Sequence, residues 1–104
     1  MSEKIKHEKL IDSINYQDGS IVSKQIIKKP NGNITLFAFA KDESLTEHTS
    51  PYEAIVYLVD GEMEIVIGGN PHYIKAGEYL IMPANIPHGL KAVSNSKMLL
   101  TMIK

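Results

Sequence analysis

No cysteine occurs among the 104 residues, which removes disulfides, thiolate metal sites and cysteine nucleophiles in one step. Neither charge is in excess. Eleven basic against 12 acidic side chains leave a formal net charge of −1, far from the surplus that a phosphate backbone demands, so nucleic acid is not an expected partner. No apolar run approaches the ~20 residues that span a bilayer as a helix. The opening stretch, MSEKIKHEKLIDSINYQDGS, carries charges throughout and lacks the apolar centre of a secretory signal. A cytoplasmic protein with no membrane partner is therefore expected. Nothing repeats, and no segment after residue 20 shows a 3.6-residue apolar period. A phosphate-cradling glycine loop, a dinucleotide fingerprint and a Ser–His–Asp arrangement are also missing.

What is present is strand followed by turn. With 43% hydrophobic and 22% charged residues, the chain has the composition of a globular domain and the length for one core. SIVSKQIIKK (20–29) and ITLFAFA (34–40) flank PNGN, where Asn31-Gly32 predicts a hairpin. A polar connection, KDESLTEHTSPYE, leads into AIVYLVDG (54–61), which is apolar on both faces and is expected to be buried on both. In EMEIVIGGNPHYIKAGE, Met63, Ile65 and Ile67 alternate with Glu62, Glu64 and Val66, and glycine turns follow at 68–69 and 76–78. YLIMP, HGLKAV and KMLLTMI complete eight to ten short strands. Such spacing predicts an all-β fold, a sandwich or a barrel, closed or nearly closed to protect its edges. Residues 1–19 form an arm able to hold a short helix or an extra strand, and 20–104 form the barrel.

The stretch GEYLIMPANIPHGL (77–90) is a stiff elbow. Pro83 and Pro87 fix φ and cannot donate to a ladder, and His88 follows directly. Gly77, Pro83, Asn85 and His88 resemble the second motif of the cupin superfamily, G-x5-P-x-G-x2-H-x3-N, with Asn85 in place of glycine and Ala92 in place of asparagine. Asn is the residue after glycine that best tolerates a positive φ. The first motif, G-x5-H-x-H-x3,4-E-x6-G, is matched less fully by AKDESLTEHTSPYEAIVYLVDG (40–61). His48 takes the second histidine position, Thr46 the first, and Gly61 comes one residue late.

The resemblance implies a double-sheet jelly roll with a pocket in its mouth. It also implies a homodimer, for which the first twenty residues are a candidate exchange arm. By the same resemblance, His48, His88 and Glu53 are the metal ligands, for Fe(II), Mn(II), Ni(II) or Zn(II), with Thr46, Ala54 and Met82 lining the pocket. The count leaves one point open. Forward from His48, Glu53 is the inward position; backward from Gly61, it is Ala54, and a bulge at Pro51 could favour either, because strand side chains alternate faces. With Glu53 inward, two histidines and a carboxylate form a facial triad suited to metal chemistry on a small polar molecule. With Ala54 inward, the metal site is degenerate and the pocket binds an organic ligand directly.

The other candidates have plainer readings. His72 and His7 belong to a turn and to the arm. Met63, Met82, Met98 and Met102 are core fillers, and Tyr52, Tyr57, Tyr73 and Tyr79 are strand or strand-edge aromatics, read as core or interface packing with the hydroxyl at the surface. Phe37 and Phe39 share one face of their strand, opposite Leu36 and Ala38, and one of those faces lines the interior.

Overall fold

The computed structural model of the chain describes residues 5–104. Nine strands follow a single 3-10 turn at Leu10–Asp12: β1 (Ile21–Lys29), β2 (Gly32–Phe39), β3 (Ser44–His48), β4 (Glu53–Asp60), β5 (Glu62–Ile67), β6 (Asn70–Lys75), β7 (Tyr79–Met82), β8 (His88–Ala92) and β9 (Ser96–Ile103). They make two antiparallel sheets, ordered β1-β2-β9-β4-β7 and β3-β8-β5-β6, the order of a jelly roll. Among the described residues no helix is long and apolar enough to cross a membrane.

Alternation builds the space between the sheets. Ala54, Val56 and Leu58 point inward from β4, and Met63 and Ile65 point inward from β5. Leu90 and Ala92 of β8, Met98 of β9 and Met82 of β7 close the same cluster. Phe39, fully buried, and Phe37 join it, which settles the face of β2 that lines the interior. The methionines fill the core: Met63, Met82 and Met98 are buried and Met102 packs against them. Leu36 and Ala38, on the opposite face of β2, are covered instead by the arm. Ile14, Leu10 and Tyr16 lie over them, and Val22, Val59 and Leu99 surround the contact. Tyr16 donates its hydroxyl to Asp60 at 2.6 Å, and the Lys97 ammonium donates to the Ile11 carbonyl.

Three expectations need correction. The polar connection contains a strand, β3, which pairs with β8 although four of its five side chains are exposed. The first hairpin turns at Pro30 and Asn31, since Lys29 pairs with Gly32; proline's fixed φ suits the first corner of such a turn. Finally, β4 is not buried on both faces: Ile55 is half-buried and Tyr57 is exposed on the outward side.

Candidate functional site

The elbow delivers His88 as a consequence of its backbone. After β7, Asn85 adopts φ +65° and donates its N–H to the Ser50 carbonyl at 2.7 Å, tying the turn to the segment before β4. The Pro87 carbonyl accepts from Gly68 N–H at 2.8 Å, so β8 starts in fixed register, with His88 opposite Ile67. The His88 ring is 6% exposed and shares the inward face of β8 with Leu90 and Ala92.

His48 reaches the same place through a bulge. Leu45 pairs with Leu90 and His48 with His88, three residues on β3 against two on β8. One extra residue reverses the face, so His48 lies on the same side as Leu45 despite their odd separation. The bulge sits at Thr46 and Glu47, upstream of His48 and not at Pro51. The two rings stand edge to face with centroids 4.4 Å apart.

Both rings are held alike. His48 Nδ1 lies 2.8 Å from the Thr46 carbonyl, and His88 Nδ1 lies 3.3 Å from the Ile86 carbonyl. A carbonyl only accepts, so each Nδ1 carries a proton, and in the neutral tautomer of either ring Nε2 is the nitrogen with the lone pair. Thr46 thus contributes its carbonyl, while its side chain is exposed. Burial pushes the His88 imidazole below its usual pKa; the Ile86 hydrogen bond opposes this and the neighbouring His48 adds to it. His88 is therefore neutral and acceptor-bearing at neutral pH.

The carboxylate does not join them. Glu53 pairs with Ile103 on the outward face of β4 and is exposed; Ala54 is inward and buried, opposite Met82 and Met102. Only Gly61 separates β4 from β5, so the start of β4 and the end of β5 lie at the same end of the barrel. Ala54, Met82 and Met102 from one sheet therefore share that end with Ile67, His88 and His48 from the other. The sequence marks Ile67 as part of an alternating strand and Met102 as core filler, and neither as lining beside the histidines. Among the described residues no three His, Cys, Asp or Glu side chains lie close enough together to hold a metal ion. Two imidazoles fall short of the three protein ligands of a catalytic zinc or facial-triad iron centre. The residues present do not complete such a site.

Cavities lie elsewhere, among them a shallow one of about 260 Å³ over the β1–β2 hairpin and the end of β9 and the two that follow. A groove of about 460 Å³ runs between the arm and β1, where Glu8 and Lys24 pair at 3.3 Å, and a depression of about 220 Å³ sits over Gly89 on the outer face of the second sheet. None of them is lined by His48 or His88. The groove is walled by exposed lysines and an exposed ion pair, without the converging buried polar groups that fix a ligand, and the histidine pair is the stronger chemical candidate.

Comparison with known proteins agrees with this architecture. The sequence model of the cupin domain matches residues 35–104. A conserved protein of unknown function from Streptococcus pyogenes is 30% identical with a TM-score of 0.92, over 99% of this chain and 90% of that one. A cupin 2 conserved barrel domain protein from Leptotrichia buccalis is 42% identical with a TM-score of 0.87, over 90% of this chain and 46% of that one, so this chain spans about half its length. An RmlC-like cupin from Desulfovibrio desulfuricans is 26% identical with a TM-score of 0.83, over 96% of this chain and 97% of that one. No curated protein matches the sequence.

Proposed function

The chain belongs to the cupin family, and from that membership we propose that it is a small-molecule-binding barrel in which His48 and His88 grip a polar ligand without completing a metal centre from the protein's own side chains. The observation that carries the reading is the inward methyl of Ala54 at the end of the barrel where a carboxylate would complete a triad. Two imidazoles with bare Nε2 atoms accept hydrogen bonds from a hydroxyl, an N–H or a protonated acid. Ala54, Met82, Ile67 and Met102 offer apolar wall to the carbon skeleton of the same ligand.

A second reading is favoured by the ring orientation alone. A metal-bound imidazole commonly gives its other nitrogen to a carbonyl, as both rings do here. In that reading His48 and His88 hold Fe(II), Mn(II), Ni(II) or Zn(II), and water or a chelating ligand fills the remaining positions. The metal would supply Lewis acidity.

The two readings separate in a metal-free binding screen. Chelator-treated protein is titrated with small polyols, hydroxy acids and amino acids, and the imidazole nitrogen resonances are followed by NMR. At least one class is expected to shift both Nε2 signals without added metal. His88→Ala then weakens binding about tenfold, the scale of one lost buried hydrogen bond. A response that arises only after metal is added would establish the second reading in its place.

A further inference from the structure

The row of side chains that faces the histidine pair continues past Met102. Met102 pairs with Asn33 on β2, and Asn33 pairs with Lys28 on β1. At the level of the histidines the inner face of the five-stranded sheet therefore reads Lys28, Asn33, Met102, Ala54, Met82. Lys28 enters the row through the β1 bulge between Gln25 and Ile27. The extra residue there shifts the alternation, so Ile27 pairs with the outward Ile34 and Lys28 with the inward Asn33. The row is thus apolar at β9, β4 and β7 and polar at β2 and β1. Asn33 is half-buried, and Lys28 is exposed on the edge strand.

The polar end is the one that faces the imidazoles. Only residues 40–43 separate β2 from β3, so β3 crosses to the second sheet beside β2. It then runs back from Ser44 to His48, toward the end of the barrel where β2 begins. β8 lies next to β3, and β5, with Ile67, comes after it. His48 and His88 therefore stand opposite the Lys28 and Asn33 side, and Ile67 stands toward Ala54 and Met82. Facing sheets stack about 10 Å apart and neighbouring strands about 5 Å, distances that one small molecule bridges.

Charge gives the ligand a direction. Among the described residues the one ion pair joins Lys24 to Glu8, and no described acid lies within ion-pair distance of Lys28. Glu53 faces outward from β4, and Glu47 borders the depression on the outer face of the second sheet. An ammonium and a carboxamide beside two imidazole acceptors suit a molecule that carries both an anion and hydroxyls. The carboxylate accepts from Lys28 and from the Asn33 amide, and the hydroxyls donate to the histidine nitrogens. We propose that Lys28 and Asn33 form a second polar wall of the site and that its ligand is a small hydroxylated carboxylate, with its carbon chain against Met102. The proposal rests on the reading of His48 and His88 as a hydrogen-bonding pair.

The test compares glycerate with glycerol, which differ by a carboxylate in place of one hydroxymethyl group. Chelator-treated full-length protein is titrated with each, and the imidazole and Asn33 amide resonances are followed by NMR. Wild type is expected to bind glycerate about fivefold to tenfold more tightly, with the difference narrowing in high salt. Lys28→Gln removes the preference and leaves glycerol binding unchanged. Lys29→Gln loses the same charge from the outward face of the same strand and keeps the preference. Asn33→Ala weakens glycerate binding about threefold to tenfold. Equal affinities in wild type, or a preference that survives Lys28→Gln, overturns the proposal and leaves the histidine reading intact. If no polyol, hydroxy acid or amino acid moves either Nε2 signal, that reading falls and the proposal with it.

Discussion

Ala54→Glu is expected to raise the affinity for Zn(II) or Ni(II) about a hundredfold, whereas Glu53→Ala leaves it unchanged. The reason is the face each residue occupies. Ala54 is inward at the end of the barrel shared with His48 and His88, and Glu53 is on the outer side of the same strand. A third ligand converts a two-imidazole contact into a site with the donor number of catalytic zinc and non-haem iron centres. The metal-free variant is expected to melt several degrees lower, because a buried carboxylate without a partner is costly. Metal at a hundred times its dissociation constant then returns about 2.7 kcal/mol of stability. Calorimetric titration of wild type and both variants provides the check. An unchanged affinity in Ala54→Glu would mean that position 54 does not reach the histidines.

The second large effect is structural. Gly61→Ala is expected to destabilise the barrel by about 3–5 kcal/mol. Gly61 makes the whole connection between β4 and β5 at φ +86°, where a side chain is strained. A Cβ there would lie 2.9 Å from Ser96 Cα and closer still to the Asn95 carbonyl oxygen and the Ser96 hydroxyl. That hydroxyl cannot retreat without loss, since it accepts from Glu62 N–H at 3.1 Å and lies 3.0 Å and 2.8 Å from the carbonyls of Glu62 and Ser94. The backbone of the adjacent turn must move instead. In a domain of this size the loss corresponds to a melting temperature lower by about 15–30 °C. Thermal unfolding measures it, and a shift of only a few degrees would show that the turn yields easily.

Much of this architecture is written in residue alternation and turn chemistry. Met63, Ile65 and Ile67 announce β5, and the proline-bracketed elbow announces β7, the turn and His88, down to the positive φ of Asn85. Other parts are silent for physical reasons. Strand β3 reads SLTEH, and every residue of it but Leu45 is exposed, His48 included at the open end of the barrel, so no apolar period marks it. It is held by its ladder to β8 instead. The bulge at Thr46 and Glu47 has no residue signature, yet it turns His48 inward. The choice between Glu53 and Ala54 could not be made by counting forward from His48, because residues 49–52 between β3 and β4 are not strand and carry no alternation. Within β4, Ala54, Val56 and Leu58 alternate inward, as counting back from Gly61 gives. The outward Ile55 and Tyr57 looked like burial on both faces because apolar composition alone does not separate an outward strand residue from a core one.

Metal content read by mass spectrometry on untagged protein tests most directly how many protein ligands stand beside the histidine pair. The samples are wild type, Glu53→Ala and His88→Ala, each after incubation with Fe(II), Mn(II), Ni(II) or Zn(II) and removal of free metal. Two imidazoles alone predict far less than one equivalent retained in wild type and no change in Glu53→Ala. About one equivalent in wild type, lost in both Glu53→Ala and His88→Ala, would contradict the outward placement of Glu53 and restore a complete metal centre.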